Sequence, residues 1–361
     1  MPELSALEHN AGHQRGARRV ILAHWWPLVL APMGGLVTLL LSPFLRRYLL
    51  DKGVIDLPGV RRSHQVPTPR GGGLAMAAGL LPVLVALALL ETAMAIPFLL
   101  ALVLVLVGWL DDRHDLGIRW RMLAQLLVAA VLVASVGGVD RIELGGHVFS
   151  APWLWTPLAV VGVIWLINLH NFMDGSDGLA GSQGVWAGVA FAVVFATLDL
   201  LVPAVASLAL VAVCLGFLVW NWPPAKLFMG DTGSLLIGGM VAWMVMTALA
   251  TGSVSPWTGL IIASVFVVDA TLTLLRRVAR GERWYTPHRQ HAYQRLIACG
   301  WSHGQVLGLY AGANLVLVMP ATLLAVRHPQ LDIWLAALLV GLLVLFWLLI
   351  QFATNGERST A

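Results

Sequence analysis

Eleven long apolar segments divide this 361-residue chain, and they constrain its fold more than any other feature. Each approaches the roughly 20 apolar residues that a helix needs to cross a bilayer. They lie near residues 27–45, 73–92, 95–110, 121–138, 153–169, 180–198, 200–221, 234–251, 256–275, 305–326 and 331–352, with the weakest division between the sixth and seventh. The segments predict an all-α, polytopic integral membrane protein with about 11 transmembrane helices.

The composition agrees with this fold and limits the partners. Hydrophobic residues make up 59% of the chain and charged residues 11%, against roughly 25% charged in an average soluble domain. The formal charge of +4 comes mainly from arginines in the connections, which suit membrane lipid headgroups or phosphate substrates. Nucleic acid is not expected as a partner, because no basic soluble domain is present. The two cysteines predict neither a disulfide framework nor a metal cage.

Lysine and arginine are unevenly distributed between the two sides of the membrane. The connections after odd-numbered segments, with the C-terminal tail, carry 17 of the 22 residues, and the opposite side carries 5. The first set should therefore be cytoplasmic, although Arg15, Arg18 and Arg19 near the N-terminus favour the reverse. The predicted organisation is a tail over 1–25, a transmembrane catalytic domain over 26–353 and a tail over 354–361.

Most of the unusual polar residues fall in the same odd-to-even connections, which predicts an active site on the cytoplasmic face. Asp111 and Asp112 end the third segment, and a cation or a metal bound to phosphate would relieve the repulsion between them. A solvated acidic helix end is the simpler interpretation. Arg119 and Arg121 favour the functional one, because they could hold an anion beside the two acids.

A second polar run follows the fifth segment. Asn168 and Asn171 are three residues apart and share a helical face, and Asp174 and Asp177 stand among glycines that let the backbone approach a ligand. Ordinary loops and some calcium sites look similar, but the run lacks the further ligands of a calcium loop. Polar residues at the membrane are functional by default, so a binding or catalytic role is favoured.

Asp231 follows Pro223 and Pro224, which end the seventh segment, and so should lie near the start of the eighth helix. It could cap that helix. The sharper hypothesis is that its carboxylate presents a divalent ion to phosphate oxygens. Arg70, with the three glycines after it, could also contact phosphate, although alone this is only a turn.

The longest cytoplasmic connection contains His288, Arg289 and His291, which offer several donors to a pyrophosphate. A lone histidine in such a loop would usually be solvated. Asp269 lies in the ninth segment, about two turns before Arg276. It could anchor the arginine-rich loop or face the active cavity, and the structural role is favoured.

In their order and membrane side, these motifs resemble those of the polyprenyl-phosphate N-acetylhexosamine-1-phosphate transferase superfamily, over about residues 40–325. The resemblance implies an aspartate pair at Asp111 and Asp112, and a contact between Arg121 and the lipid phosphate. It implies metal ligands at Asn171 and Asp231, for Mg²⁺ or alternatively Mn²⁺. The nucleotide-sugar site would include Asp174 and Asp177, and the diphosphate would contact His288, Arg289 and His291.

The resemblance also implies a reaction. N-acetylhexosamine-1-phosphate would move from a UDP-N-acetylhexosamine to undecaprenyl phosphate with release of UMP, in the bacterial inner membrane. The His288 loop departs from the triple-histidine form of the MurNAc-pentapeptide enzymes. It is more similar to enzymes that start O-antigen synthesis from UDP-N-acetylfucosamine or UDP-N-acetylquinovosamine, and UDP-GlcNAc is a further candidate. The resemblance also allows a homodimer.

The lipid phosphate itself would be the nucleophile, because its second pKa near 6 leaves it mostly dianionic at pH 7. Asp111 would act as a base only if its surroundings raised that pKa, and would otherwise orient the phosphate. A covalent route through Asp174 or Asp177 is the weaker alternative. Two other protein classes remain open: a transporter without covalent chemistry, which should show duplicated halves and broken helices, and a catalytically silent scaffold.

Overall fold

The computed structural model describes residues 26–57, 66–144, 147–283 and 288–354. The predicted N-terminal tail, and the C-terminal tail apart from Thr354, lie outside these residues.

Helices account for all of the predicted apolar segments, so the all-α membrane fold is confirmed. Ten described helical spans are long and apolar enough to cross a bilayer, and the second segment forms a shorter helix of 16 residues. The helices are α1 Trp26–Asp51, α2 Gly73–Ala88, α3 Ala95–His114, α4 Ile118–Ser135, α5 Pro152–Phe172, α6 Leu179–Thr197, α7 Leu201–Asn221, α8 Gly230–Ala250, α9 Pro256–Ala279, α10 Ala292–Ala298, α11 His303–Ala313, α12 Met319–Arg327 and α13 Asp332–Ala353. A π-helical turn, Asn314–Val318, joins α11 to α12, so that the three together form the tenth segment.

Two 3-10 turns, Thr92–Met94 and Pro329–Leu331, and two short antiparallel strand pairs are the remaining regular structure of the described residues. Strand β1 (Ile55–Asp56) pairs antiparallel with β2 (Thr68–Pro69), between α1 and α2. Strand β3 (Arg141–Leu144) pairs with β4 (His147–Ser150) between α4 and α5. The weakest predicted division, between the sixth and seventh segments, is confirmed as a turn in which Asp199 has a φ of 57°.

Helix α8 lies at the centre of the bundle. Its apolar stretch is 78% buried, whereas those of α1, α4 and α13 are 28% buried. Small residues permit this packing, as is usual where lipid supplies little hydrophobic drive for helix association. A Cβ on Gly73 would collide with the backbone of Gly233, and one on Gly108 would lie 2.6 Å from the Thr232 nitrogen. The start of α8 is thereby held directly against α2 and α3.

The buried apolar side chains form two clusters. The larger one draws on α1 to α8, and the smaller one joins α9 to α13 with the end of α5 and the start of α6. Hydrogen bonds tie α5 and α6 to the later helices: Trp165 Nε1 of α5 donates to Thr271 Oγ1 of α9 at 3.1 Å, and Asn314 Nδ2 of the π-helical turn donates to Gln183 Oε1 of α6 at 2.8 Å. The predicted site residues lie where the two clusters meet, at one end of the bundle.

Candidate active site

Four carboxylates and two arginines meet where α3 ends and α8 begins. We call Asp111, Asp112, Asp174 and Asp231 the carboxylate cluster. Strand β2 delivers Arg70 to it, because Phe228 donates its backbone N–H to the Pro69 carbonyl and accepts from Gly72 at 2.8 Å. Predicted site residues from separate parts of the chain therefore lie together here.

Arg70 makes two ion pairs in this cluster. Its Nε lies 2.8 Å from Asp112 Oδ1, and its Nη2 lies 2.7 Å from Asp231 Oδ1. Burial works against the charge of the guanidinium, but the fields of Asp231 and Asp112 outweigh it and raise the pKa of Arg70. Arg70 is therefore held as a permanent cation between two acids.

Arg121, at the start of α4, binds the same cluster from the other side. Its Nη1 lies 2.6 Å from Asp111 Oδ2 and 3.3 Å from Asp231 Oδ2, and its Nη2 donates to Asn171 Oδ1 at 3.4 Å. Asp231 thus faces one arginine with each oxygen. The geometry makes it the carboxylate that connects the two cations.

Asp112 caps helix α8. Its Oδ1 accepts from the Asp231 backbone N–H at 2.9 Å, and its Oδ2 accepts from the Thr232 backbone and hydroxyl at 3.0 and 2.6 Å. Gly230 has a φ of 71°, and a Cβ there would lie 2.5 Å from Asp112 Oδ2. The alternative that Asp231 caps this helix is wrong, because the cap comes from α3 and Asp231 stands within the first turn.

The cluster carries more negative than positive charge. Four carboxylates against two guanidinium groups leave two negative charges when all are ionised. Burial and the nearby Asp231 raise the pKa of Asp174 well above its usual value, while Arg70 acts in the opposite direction. The site would accept a divalent cation, which would favour the ionised form of Asp174.

The donor set suits Mg²⁺ shared with a substrate rather than a closed protein cage. Among the described residues, no three histidine, cysteine or acidic side chains are arranged to hold a metal ion by themselves. Mg²⁺ usually takes only one or two carboxylates and completes its octahedron with water and substrate phosphate. Asp231, Asp111 and the Asn171 carbonyl could supply such ligands beside the arginines, because an oxygen that accepts one hydrogen bond keeps a second lone pair.

Side-chain amides next to the carboxylate cluster connect α5 to α4 and to α8. Asn168 Nδ2 donates to Gln125 Oε1 at 2.6 Å and to the Ile164 carbonyl at 2.8 Å, while Asn171 Nδ2 donates to Ser234 Oγ at 3.0 Å. Gln125 follows Arg121 by one helical turn. The sequence analysis missed it, although a glutamine in a lipid-facing helix is itself a signal of a polar partner.

Asp177 is held in place by contacts that the sequence did not reveal. Its Oδ2 accepts from the Ala225 backbone N–H at 2.9 Å, and its own N–H donates to His303 Nδ1 at 3.1 Å. The next residue, Gly178, donates its N–H to Asn221 Oδ1 at 2.9 Å. His303 and Asn221 therefore fix the loop that carries Asp174 and Asp177.

The loop of residues 288–291, the basic loop, presents donors without protein partners. Among the described residues, none bonds to His288 Nδ1 or to Arg289 Nε and Nη2, although these atoms are buried. Such groups are rare in proteins and point to a ligand that completes them. Burial lowers the pKa of Arg289 and, with His291 nearby, lowers that of His288 to about 3. His288 therefore offers a hydrogen bond rather than the expected charge.

Tyr293 joins the basic loop to the acidic side of the site. Its ring stacks on His291 with centroids 5.7 Å apart, and its hydroxyl donates to the Phe172 carbonyl at 3.1 Å. A Cβ on Gly175 would collide with that hydroxyl, so the loop of Asp174 packs directly against Tyr293. The basic loop and the Asp174 loop are thus neighbours.

Comparison with known proteins identifies the relatives of this arrangement. The profile of glycosyl transferase family 4 matches residues 94–249, which include the carboxylate cluster but neither Arg70 nor the basic loop. The chain is 30% identical to a probable undecaprenyl-phosphate N-acetylglucosaminyl 1-phosphate transferase of Bacillus subtilis, over 89% of this chain and 90% of the relative. It is 33% identical to a decaprenyl-phosphate N-acetylglucosaminephosphotransferase of Mycobacterium tuberculosis, over 71% and 72%. A phospho-N-acetylmuramoyl-pentapeptide-transferase of Heliobacterium modesticaldum is 32% identical over 83% and 97%.

Proposed function

This chain belongs to glycosyl transferase family 4, in the polyprenyl-phosphate N-acetylhexosamine-1-phosphate transferase superfamily, and we propose that it transfers N-acetylhexosamine-1-phosphate from a UDP-sugar to undecaprenyl phosphate, releasing UMP. The observation that carries the proposal is the pairing of an acidic cluster with unsatisfied basic donors at one end of the bundle. A diphosphate bound to a metal ion is complementary to this arrangement. The dication matches the acidic cluster, and the phosphate oxyanions match the basic donors.

The reaction exchanges one diphosphate linkage for another. An oxygen of the lipid phosphate forms a bond to the sugar-bearing phosphorus, and the bond from that phosphorus to the bridging oxygen breaks, so that UMP leaves with the electron pair. The nucleophile needs no base at neutral pH, because most of a phosphate monoester is then dianionic. Arg70 and Arg121 would hold the lipid phosphate, and Arg289 would bind the equatorial oxygens.

Three of the four acids would have separate tasks. Asp112 is committed to the start of α8, so we assign it to positioning rather than to chemistry. Asp111 orients Arg121, and Asp231 orients both arginines. Asp231 and Asn171 would hold Mg²⁺, or Mn²⁺ in its place, and the ion would neutralise the diphosphate.

Direct displacement is favoured over a covalent enzyme intermediate. Asp177 is engaged by the Ala225 N–H, and its other oxygen lies 3.6 Å from His303 Nδ1. Burial and the nearby Asp231 raise the pKa of Asp174, which disfavours its ionised form. A covalent route would need a free, ionised carboxylate, and the contacts of Asp177 and the surroundings of Asp174 work against it.

The sugar and the pathway are proposed from the basic loop. Its departure from a triple-histidine sequence argues against the MurNAc-pentapeptide substrate, although a relative named for that activity has similar identity. UDP-N-acetylfucosamine, UDP-N-acetylquinovosamine and UDP-GlcNAc are the candidates, and two of the relatives named above are named for N-acetylglucosamine. The enzyme would start O-antigen or another envelope glycan, in a bacterial inner membrane with its site facing the cytoplasm.

A single assay tests the proposal. Purified protein in undecaprenyl-phosphate vesicles, with Mg²⁺ and each UDP-sugar in turn, should release UMP and form a lipid-linked sugar diphosphate. Chelation of the metal should stop both products. Accumulation of a solute without a covalent product would instead support a transporter, and inactivity with every UDP-sugar would contradict the proposal.

A further inference from the structure

One buried acid plays no part in the site described above. Asp269 lies inside α9, is 3% exposed, and accepts hydrogen bonds from its own helix and from three other helices of the smaller apolar cluster. We propose that Asp269 is a positioning residue for the basic loop, which it fixes through the backbone of Ala292. The inference rests on the proposed function, since the basic loop matters to catalysis only if it binds the diphosphate.

The contacts converge on one carboxylate. Its Oδ1 accepts from the Ala292 N–H at 2.8 Å and from Trp347 Nε1 at 3.2 Å, and its Oδ2 accepts from the Tyr310 hydroxyl at 2.6 Å. Thr273, one turn further along α9, donates to Oδ1 at 3.2 Å. The basic loop is therefore fastened to α9, α11 and α13 at one point.

A carboxylate suits this position because all four neighbours can donate to it at once. An ionised acid accepts hydrogen bonds with about four lone pairs and donates none. An asparagine would offer one neutral acceptor oxygen and would place its NH₂ against the Tyr310 hydroxyl, which would have to change from donor to acceptor. A buried charge is costly in a membrane protein and is normally kept for function. Here the charge lies 3.8 Å from His291 Nδ1, on the inner side of the basic loop.

The Ala292 hydrogen bond affects the site because Ala292 is next to the basic loop in the chain. Ala292 directly follows His291 and begins α10, and Tyr293 packs against the loop of Asp174. Loss of the Ala292 bond would let His291 and Arg289 move relative to the carboxylate cluster. Displacement of catalytic groups by about 1 Å can lower turnover about 100-fold.

The chain offers a matched control at the other membrane face. Asp332, at the start of α13, is 5% exposed and accepts from the Ser255 hydroxyl at the start of α9. Asp269 and Asp332 therefore link the same two helices at opposite ends. Asp332→Asn should reduce thermal stability but leave turnover within about twofold of wild type, because surface and structural changes far from a site seldom alter its geometry.

The test is a mutant cycle on the transferase reaction. Asp269→Asn should lower kcat about 100-fold, with the KM for undecaprenyl phosphate nearly unchanged. If Asp269 acts through the basic loop, adding Asp269→Asn to a variant that carries both Arg289→Ala and His291→Ala should cost little more than that variant alone. Losses that multiply in the combined variant, or an equal loss from Asp332→Asn, would show a general packing role and overturn the inference.

Hydrogen exchange provides a readout that does not depend on activity. In wild type the Ala292 amide should be protected, and Asp269→Asn should speed its exchange while amides of α8 stay protected. Unchanged exchange would overturn the anchor even in a protein with another activity. If Asp269→Asn does not fold, Tyr310→Phe serves as the second variant, because it removes one donor to Asp269. It should speed exchange of the Ala292 amide by a smaller factor, and exchange at the wild-type rate would refute the inference.

Discussion

Replacement of Asp231 by asparagine tests the centre of the site. Its two oxygens face Arg70 Nη2 at 2.7 Å and Arg121 Nη1 at 3.3 Å. Asparagine keeps one acceptor oxygen but turns an NH₂ towards the other guanidinium. One charge-assisted hydrogen bond is lost and the second is weakened.

The expected size follows from these two contacts. A hydrogen bond to a charged group contributes about 1.5 to 3 kcal/mol, so the combined change is about 2 to 4 kcal/mol. At about 1.36 kcal/mol per tenfold in rate, transfer should fall by about 30- to 1,000-fold. The loss should be larger at low Mg²⁺, because the substitution also removes one of the two excess negative charges of the cluster.

The protein should remain folded. The Asp231 backbone N–H, which donates to Asp112 at 2.9 Å, survives the change of side chain. The assay is UMP release across a Mg²⁺ titration, alongside the melting temperature, with Asp332→Asn as the buried-acid control. Turnover like that of wild type at limiting Mg²⁺ would refute the assignment of Asp231.

Three further predictions concern orientation, the basic loop and pH. In a background without native cysteines, a cysteine at Asp115 should react only from the cytoplasmic side and one at Asp140 only from outside; labelling in the reverse pattern would invert the topology. Arg289→Ala should lower turnover by a similar factor, about 10- to 100-fold, with every accepted UDP-sugar, since the lost contacts of about 1.5 to 3 kcal/mol do not involve the sugar. A changed sugar preference at full activity would contradict this. The pKa of His288 is lowered to about 3, so the unfolded chain binds a proton near pH 6.5 that the folded chain does not. Stability should therefore fall as pH decreases from about 6.5, by up to about 1.4 kcal/mol per pH unit, and His288→Gln should flatten the melting temperatures measured from pH 7.5 to 5.

The sequence predicted the helices, because the length of an apolar run depends on local composition. The side of the membrane on which the site lies stays a prediction. The length of each apolar run identified a membrane-spanning helix, and most of the acids and arginines of the candidate site fell in the connections after odd-numbered segments. The partners were not predictable, because they depend on packing between distant segments. Arg70 and Asp231 are 161 residues apart, and Asp177 and His303 are 126 apart.

Two errors of detail have the same origin. The eighth helix begins at Gly230 rather than near 234, because Asp112, 119 residues before Asp231, caps it from another helix. Asp269 was expected either to anchor the arginine-rich loop or to face the cavity, and its anchor is the Ala292 backbone. Neither a remote cap nor a backbone contact leaves a signal in the spacing of side chains.

The most direct test of the central claim is the exchange of labelled UMP into UDP-sugar. Direct transfer to a lipid phosphate replaces one diphosphate with another, so the reaction should run backwards readily. Labelled UMP should enter the UDP-sugar only when polyprenyl phosphate is present, and Asp231→Asn should abolish the exchange. Exchange at the full rate without any lipid phosphate would contradict direct displacement and would require a covalent sugar-phosphate on the enzyme.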